Sequence, residues 1–287
     1  MINLAIASGK GGTGKTTVAV NLALALIPDY DNVELLDCDV EEPNAHLFLK
    51  PEFELEKAVG IPVPAVDHDR CTFCGRCSEV CMFNALAVLK DQVIILEELC
   101  HGCGSCAYLC PEKAITEYNR PIGTIKSGSA GKLKFGGGYL NPGEAMSPPL
   151  INAVKKMIQP DHISIIDAPP GTSCPVVSAV SGCDYCLLVT EPTPFGLNDL
   201  DLASQMVSKL GLPAGVVINR SDLGDDRVEK YCRHAGLPVL QKIPFDKELA
   251  GLYARGEAVV SHNREWRRRF KALFSGITGN KKEVSRP

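Results

Sequence analysis

No stretch of the sequence approaches the roughly 18 apolar residues that a membrane-spanning helix requires. No charged leader or cleavage site precedes the first apolar run, Ile2 to Ala7, so the protein is expected to be cytoplasmic. Positive charge is not in excess: 30 Lys and Arg stand against 34 Asp and Glu, a formal net charge of -4, and without a global basic field no nucleic-acid partner is expected. The 6 histidines form no pairs of the kind that complete cysteine–histidine zinc sites. What the chain has instead is cysteine, 13 in 287 residues, and in a reducing compartment that count points to metal rather than to disulfides. The length suffices for one large α/β domain and a small second one.

The first apolar run feeds Gly9-Lys10-Gly11-Gly12-Thr13-Gly14-Lys15-Thr16-Thr17, and a helical pattern follows from Thr17 to Ile27. A strand, a glycine-rich turn and a helix N-terminus in that order make a phosphate-binding loop, in which backbone N–H groups converge on one anion. Glycine is needed because a Cβ would hold the backbone off the phosphates. Gly11, Gly12, Thr13, Gly14 and Thr17 line that cradle; Lys15 would reach the outer phosphates and the Thr16 hydroxyl would sit on Mg2+. Two more apolar runs end in acids. Val33 to Leu36 leads into Asp37-Cys38-Asp39, and Ile163 to Ile166 leads into Asp167-Ala168-Pro169-Pro170-Gly171. Carboxylates at the C-terminal ends of parallel strands face the ligand crevice. Strand and helix patterns alternate on through Tyr185–Thr190, Ala214–Ile218 and Val239–Ile243, which predicts an α/β fold with a parallel sheet covered by helices on both faces.

The composition changes at Ile61-Pro62-Val63-Pro64, read as a stiff entry linker. Cys71, Cys74, Cys77 and Cys81 follow C-x2-C-x2-C-x3-C, and Cys100, Cys103, Cys106 and Cys110 repeat it 29 residues on. That repeat is the bacterial two-cluster ferredoxin pattern, in which three cysteines of one run and the fourth of the other hold each four-iron cluster. It assigns Cys71, Cys74, Cys77 and Cys110 to one cluster and Cys100, Cys103, Cys106 and Cys81 to the second. The expected organisation is an ATPase domain over 1–60 and 120–287, interrupted by a small α+β ferredoxin-like insert over 61–119. So short an insert buries little apolar area, and it is expected to be largely disordered without iron. The glycine-rich stretch 120–149 suggests irregular hairpin strands that could serve the clusters, a partner or a dimer seam. Cys38, Cys174, Cys183, Cys186 and Cys232 read as small apolar packing residues. Near the C-terminus, Trp266, Phe270, Leu273 and Phe274 share a helical face, expected to lie on the parent sheet rather than on a membrane; the segment after Ser275-Gly276 reads as a disordered basic tail.

The spelling KGGTGKTT, with a second lysine at Lys10, resembles the deviant Walker A loop of the MinD and ParA family, which includes the nitrogenase iron protein. The whole chain is similar to MinD-type P-loop ATPases with an inserted bacterial ferredoxin domain, relatives of the Mrp-like ATPases. The resemblance implies a homodimer that closes on ATP, with Lys10 reaching the partner's nucleotide, and slow hydrolysis. It also implies that Asp39 orients the attacking water, that Asp37 supports its loop, and that Asp167 holds Mg2+ through water. Gly171 N–H would sense the γ-phosphate, and Asn219 would recognise adenine. Met82 departs from the ferredoxin pattern, where proline follows the fourth cysteine. The expected function is ATP-gated electron transfer through two 4Fe-4S clusters to a redox partner. The alternatives are insertion of metal cofactors into a client metalloprotein, and positioning of the MinD type.

Overall fold

The computed structural model describes residues 2–284, with side chains as far as residue 279. Its main sheet has nine strands. The central ones are β1 (Ile2–Ala7), β2 (Val33–Asp37), β8 (Ile163–Asp167), β9 (Tyr185–Thr190), β10 (Ala214–Asn219) and β11 (Val239–Ile243). With β7 (Leu133–Leu140) they run parallel in the order β11-β10-β9-β1-β8-β2-β7. Two long antiparallel strands, β6 (Ile115–Ala130) and then β3 (Glu52–Val66), extend that edge. Of the central strands, β1, β2, β8 and β9 are buried along nearly their whole length because helices cover both faces, while β11, at the sheet edge, is only partly buried. One face carries α1 (Lys15–Leu26), α2 (Ala45–Leu49), α9 (Lys247–Ala254), α10 (Val259–His262) and α11 (Arg264–Val284); the opposite face carries α5 (Pro148–Lys155), α6 (Cys174–Val180), α7 (Pro194–Lys209) and α8 (Arg227–His234).

Trp266, Phe270, Leu273 and Phe274 of α11 are buried with α1 against the sheet, and Lys271 Nζ pairs with Asp29 Oδ2 at 2.7 Å. The apolar stripe is therefore already covered by protein, and among the described residues no helix is long and apolar enough to cross a membrane. The helix continues through Ser275 and Gly276 to Val284, where the sequence suggested a tail; the last three residues lie outside the described ones.

The cysteine runs sit at the far end of the β3/β6 hairpin. Residues 61–64, read as a linker, are strand instead, paired with Arg120, Asn119, Tyr118 and Glu117. Pro62 and Pro64 hide the strand pattern, yet β3 is an edge strand, where a missing N–H is tolerated. Between the hairpin arms lie two single-turn helices, α3 (Arg76–Glu79) and α4 (Ser105–Tyr108), and a two-stranded sheet of β4 (Leu86–Val88) and β5 (Val93–Ile95). Their apolar residues, Ala85, Leu86, Val93 and Ile115, join the core of the α5 face through Ile61, Val63 and Ile122. The glycine-rich stretch is regular: Gly136–Gly138 lie in β7, beside β2, and let α5 sit close on the sheet.

A Cβ at Gly138 would stand 2.6 Å from Val40 Cγ1 and 2.9 Å from Val154 Cγ2. Gly138→Ala is therefore expected to cost about 1–3 kcal/mol through overpacking. Thermal unfolding should register this as a fall in Tm of roughly 2–4 °C per kcal/mol.

Candidate functional site

The loop between β1 and α1 needs glycine where the sequence supplies it. Gly12 has φ 76° and Gly14 has φ 98°, and space beyond Gly11 and Gly12 is open, so the N–H groups face an unobstructed cradle. The Val18 N–H donates to the Gly14 carbonyl at 2.9 Å, starting the helix whose N-terminus points at the cradle. Lys15 and Thr16 are buried, at 6% and 7% exposure, on its first turn.

Asn219 braces this loop from the end of β10. Its Nδ2 donates to the Thr13 carbonyl at 2.8 Å, and its Oδ1 accepts from the Arg220 N–H at 3.0 Å. A Cβ on Gly14 would meet that Nδ2 at 2.5 Å, so the close approach requires glycine. The residue expected at adenine thus has both amide groups engaged with the backbone beside the cradle.

Asp37 and Asp167 end neighbouring strands in direct register. Asp37 Oδ2 accepts the N–H groups of Asn44 and Ala45, both at 3.0 Å, and Oδ1 accepts that of Asp39 at 3.2 Å. One buried carboxylate therefore folds the loop carrying Asp39. Burial, then the Asp167 charge, hold the Asp37 carboxyl well above the usual range. Neither carboxylate oxygen of the fully buried Asp167 has a hydrogen-bond partner of good geometry. Desolvation raises its pKa to about 7, against the pull of the Thr16 hydroxyl and Lys15. An orphaned buried carboxylate beside a threonine hydroxyl and a phosphate cradle fits a hard, oxygen-seeking cation such as Mg2+. Asp39 is raised to about 6 by burial, with Lys15 opposing and Glu42 and Glu41 reinforcing the shift.

The Gly171 N–H, expected at the γ-phosphate, donates here to the Ser8 carbonyl at 2.9 Å, with φ 99° at Gly171. Lys10 has its carbonyl held by the Ser8 hydroxyl at 2.6 Å, and its Nζ lies 3.8 Å from Glu191 Oε2. Glu191, at the end of β9, also accepts from Arg220 Nη1 at 2.7 Å. The sequence reading passed over Glu191, although an acid at the C-terminal end of a buried strand is the same signal that marked Asp37 and Asp167.

The eight cysteines of the repeat gather into two cages. Cys71, Cys74, Cys77 and Cys110 line one, with Val66, Val88 and Ile115. Cys81, Cys100, Cys103 and Cys106 line the second, with Pro62, Phe83 and His101. Backbone geometry repeats with the sequence: φ is positive at Phe73 and Gly102, at Gly75 and Gly104, and at Asn84 and Lys113. The N–H groups of Phe73 and Gly102 donate to Cys71 and Cys100 Sγ, each at 3.4 Å. Those of Ala85 and Ala114 donate to Cys81 and Cys110 Sγ, each at 3.3 Å. Burial pushes the Cys106 thiol up to about 11, opposed by a backbone N–H bond from Ala107. Among the described residues no three His, Cys, Asp or Glu side chains converge on a point that one metal ion could occupy. Each concavity brings four thiols together, the donor number of a four-iron cluster. Cys38, Cys183, Cys186 and Cys232 are buried in the α5 face core, whereas Cys174 is exposed.

Comparison with known proteins places residues 4–259 in the family described as the CobQ/CobB/MinD/ParA nucleotide binding domain. An uncharacterised protein of Methanocaldococcus jannaschii is 35% identical over 274 residues, covering 92% of this chain and 93% of that one. An iron-sulfur cluster carrier protein of Pyrococcus abyssi is 30% identical over 267 residues, covering 85% of this chain and 74% of its own. Among solved structures, the cell division ATPase MinD of Pyrococcus furiosus matches with a TM-score of 0.60 at 22% identity, over 97% of this chain and 99% of that one, a likeness of fold.

Because Asp167 titrates near pH 7, a cation binding there must displace a proton below that pH. The Mg2+-dependent part of nucleotide affinity is expected to weaken by about tenfold per unit as pH falls below about 7, and to level off above it. Fluorescent-nucleotide titrations with Mg2+ and with a chelator, between about pH 5.5 and about pH 8, check this. Asp167→Asn should leave only the Mg2+-independent part.

Proposed function

This chain belongs to the CobQ/CobB/MinD/ParA nucleotide-binding family, and we propose that it is a slow MgATP-hydrolysing dimer switch that gates electron transfer through two four-iron clusters held at the tip of the β3/β6 hairpin. The observation that carries this reading is the pair of four-cysteine cages, alike in lining and in N–H to Sγ bonding, on strands continuous with the nucleotide-binding sheet. Bound there, the clusters would supply one-electron carriage; Cys71, Cys74, Cys77 and Cys110 would hold one, and Cys100, Cys103, Cys106 and Cys81 the second.

At the sheet, the loop N–H groups and Lys15 would hold the phosphates, and Thr16 and Asp167 would hold Mg2+, whose charge would neutralise that of the phosphates when bound. Asp39, with a pKa near 6, is mostly ionised at neutral pH and can accept a hydrogen bond from the attacking water. Lys10 acts across the dimer on the partner's nucleotide. The Gly171 N–H exchanges Ser8 for the γ-phosphate, so the loop after β8 differs between the two states.

A short physical route joins this loop system to the cages. The Leu140 N–H donates to the carbonyl of Val40, next to Asp39, at 2.9 Å, and Asp37 lies in register with Gly137. From β7 the connection passes to β6, where Arg120 pairs with Glu144 and pairs in strand register with Ile61. The cluster-carrier relatives favour a second reading, in which the clusters are cargo handed to a client protein. The N–H bonds to Cys71, Cys81, Cys100 and Cys110 favour residence, while the exposure of Cys74 and Cys103 favours delivery.

The deciding measurement mixes anaerobically purified protein with an apo-ferredoxin acceptor, with and without MgATP, and counts iron per chain. Retention of about eight irons, with a potential that moves when MgATP is added, is the expected result. ATP-dependent loss of iron to the acceptor overturns gated electron transfer in favour of delivery. Lys15→Ala should abolish nucleotide binding. Lys10→Ala should keep binding and lose dimer-dependent hydrolysis, and hydrolysis equal to wild type would sink the trans role.

A further inference from the structure

Glu191 is a buried acid on the nucleotide face that the phosphate and Mg2+ sites do not use. It is 8% exposed, and two cations share its carboxylate: Arg220 Nη1 at 2.7 Å from Oε1, and Lys10 Nζ at 3.8 Å from Oε2. The two holds are unequal. Arg220 is fixed in the left-handed region at φ 49°, which a non-glycine residue adopts when its surroundings impose it. Its N–H is tied to Asn219 Oδ1, and Asn219 in turn to the Thr13 carbonyl, so the arginine is registered on the phosphate loop itself. Glu191 is fixed as well: its carbonyl accepts from the Thr193 N–H at 2.8 Å, and the next residue, Pro192, lies so close to Gly224 that a Cβ there would meet the Pro192 carbonyl oxygen at 1.8 Å. Lys10 has its backbone held by Ser8, but its Nζ stands 3.8 Å from the carboxylate, beyond hydrogen-bond reach, against 2.7 Å for Arg220; both side chains are partly exposed, at 34% and 47%.

A buried carboxylate stranded without a partner is costly. If Lys10 alone neutralised Glu191, drawing the lysine across to a second subunit would strand that charge. With Arg220 already in place, the lysine can leave at little cost. The geometry points to Glu191 as a positioning residue that parks Lys10 in the free subunit, with Arg220 as the standing cation that keeps the carboxylate paired when Lys10 departs. This rests on the reading that Lys10 acts in trans.

The test measures the midpoint of MgATP-dependent dimerisation of the full, cluster-loaded chain by sedimentation velocity. Glu191→Gln removes the parking site and should lower the midpoint by about threefold; Arg220→Gln leaves Glu191 with Lys10 alone and should raise it by about threefold. Arg220→Lys should restore the wild-type value. In the double variant the Arg220→Gln effect should vanish, because the carboxylate it acts through is gone. Shifts of the same sign in the two single variants, or a full Arg220→Gln effect without Glu191, overturn the proposal while leaving the trans role of Lys10 standing. A Lys10→Ala protein that dimerises and hydrolyses like wild type overturns both. Labelling of Lys10 by an amine-reactive reagent in nucleotide-free protein adds a readout independent of assembly: it should be faster in Glu191→Gln and slower in Arg220→Gln, and equal rates overturn the parking contact.

Discussion

Two carboxylates in register on neighbouring strands, both fully buried, set the terms for the rest of the nucleotide face. Burial and mutual repulsion oppose ionisation of the pair, so each needs donors or a cation. Asp37 is satisfied by three backbone N–H groups, which forces the chain after β2 into the turn that carries Asp39 and Val40. Asp167 is left without a hydrogen-bond partner beside Thr16. The same sheet end thus builds a rigid half, spent on loop structure, and an unsatisfied half, available to a ligand cation.

That turn is also where the loop after β2 meets β7, the first strand on the way to the cysteine cages. Val40 bonds to Leu140 at the end of β7, and its side chain fills the space left by Gly138. The glycines of β7 therefore do more than permit a strand: they bring α5 and the loop after β2 onto the same few ångströms of backbone. A long antiparallel pair then carries that position outward to the cages without a flexible break. Energetic coupling between sites requires an element with two discrete arrangements that both sites bias. The bond between the Gly171 N–H and the Ser8 carbonyl is one arrangement; the proposed exchange of that N–H to a γ-phosphate would be the other.

The parts of this architecture legible in the sequence are those whose chemistry forces local residue types. The phosphate loop needs glycine at Gly12 and Gly14 for positive φ, and eight cysteines in a doubled spacing declare the cages, down to which four gather in each. Long-range geometry was less legible. The strand over 61–64 was hidden because two prolines are harmless on an edge whose outward N–H groups have no partner. Regular pairing over 120–140 was hidden because a strand covered by close-lying α5 needs glycine, the residue that on local propensity argues against a strand. The bond from Asn219 to Thr13 and the Lys10–Glu191 pair join residues about 180 to 210 positions apart, and nothing in local pattern reports a contact of that separation.

The internal repeat shows how little sequence such cages need. Between the two runs, two of the three positive-φ pairs are chemically unlike: Phe73 and Gly102 share the same bond to sulfur, and Asn84 and Lys113 match in backbone alone, while Gly75 and Gly104 are the same residue. Phenylalanine, asparagine and lysine carry a penalty in the left-handed region that glycine avoids. Their retention of that conformation in both halves, with N–H groups directed at sulfur, means that the path of the backbone around the thiols is imposed by the cage rather than by local preference. A segment that accepts backbone strain at the same positions in both halves, with N–H groups directed at sulfur, is built to bring four thiols together rather than to serve the short strands β4 and β5 beside it.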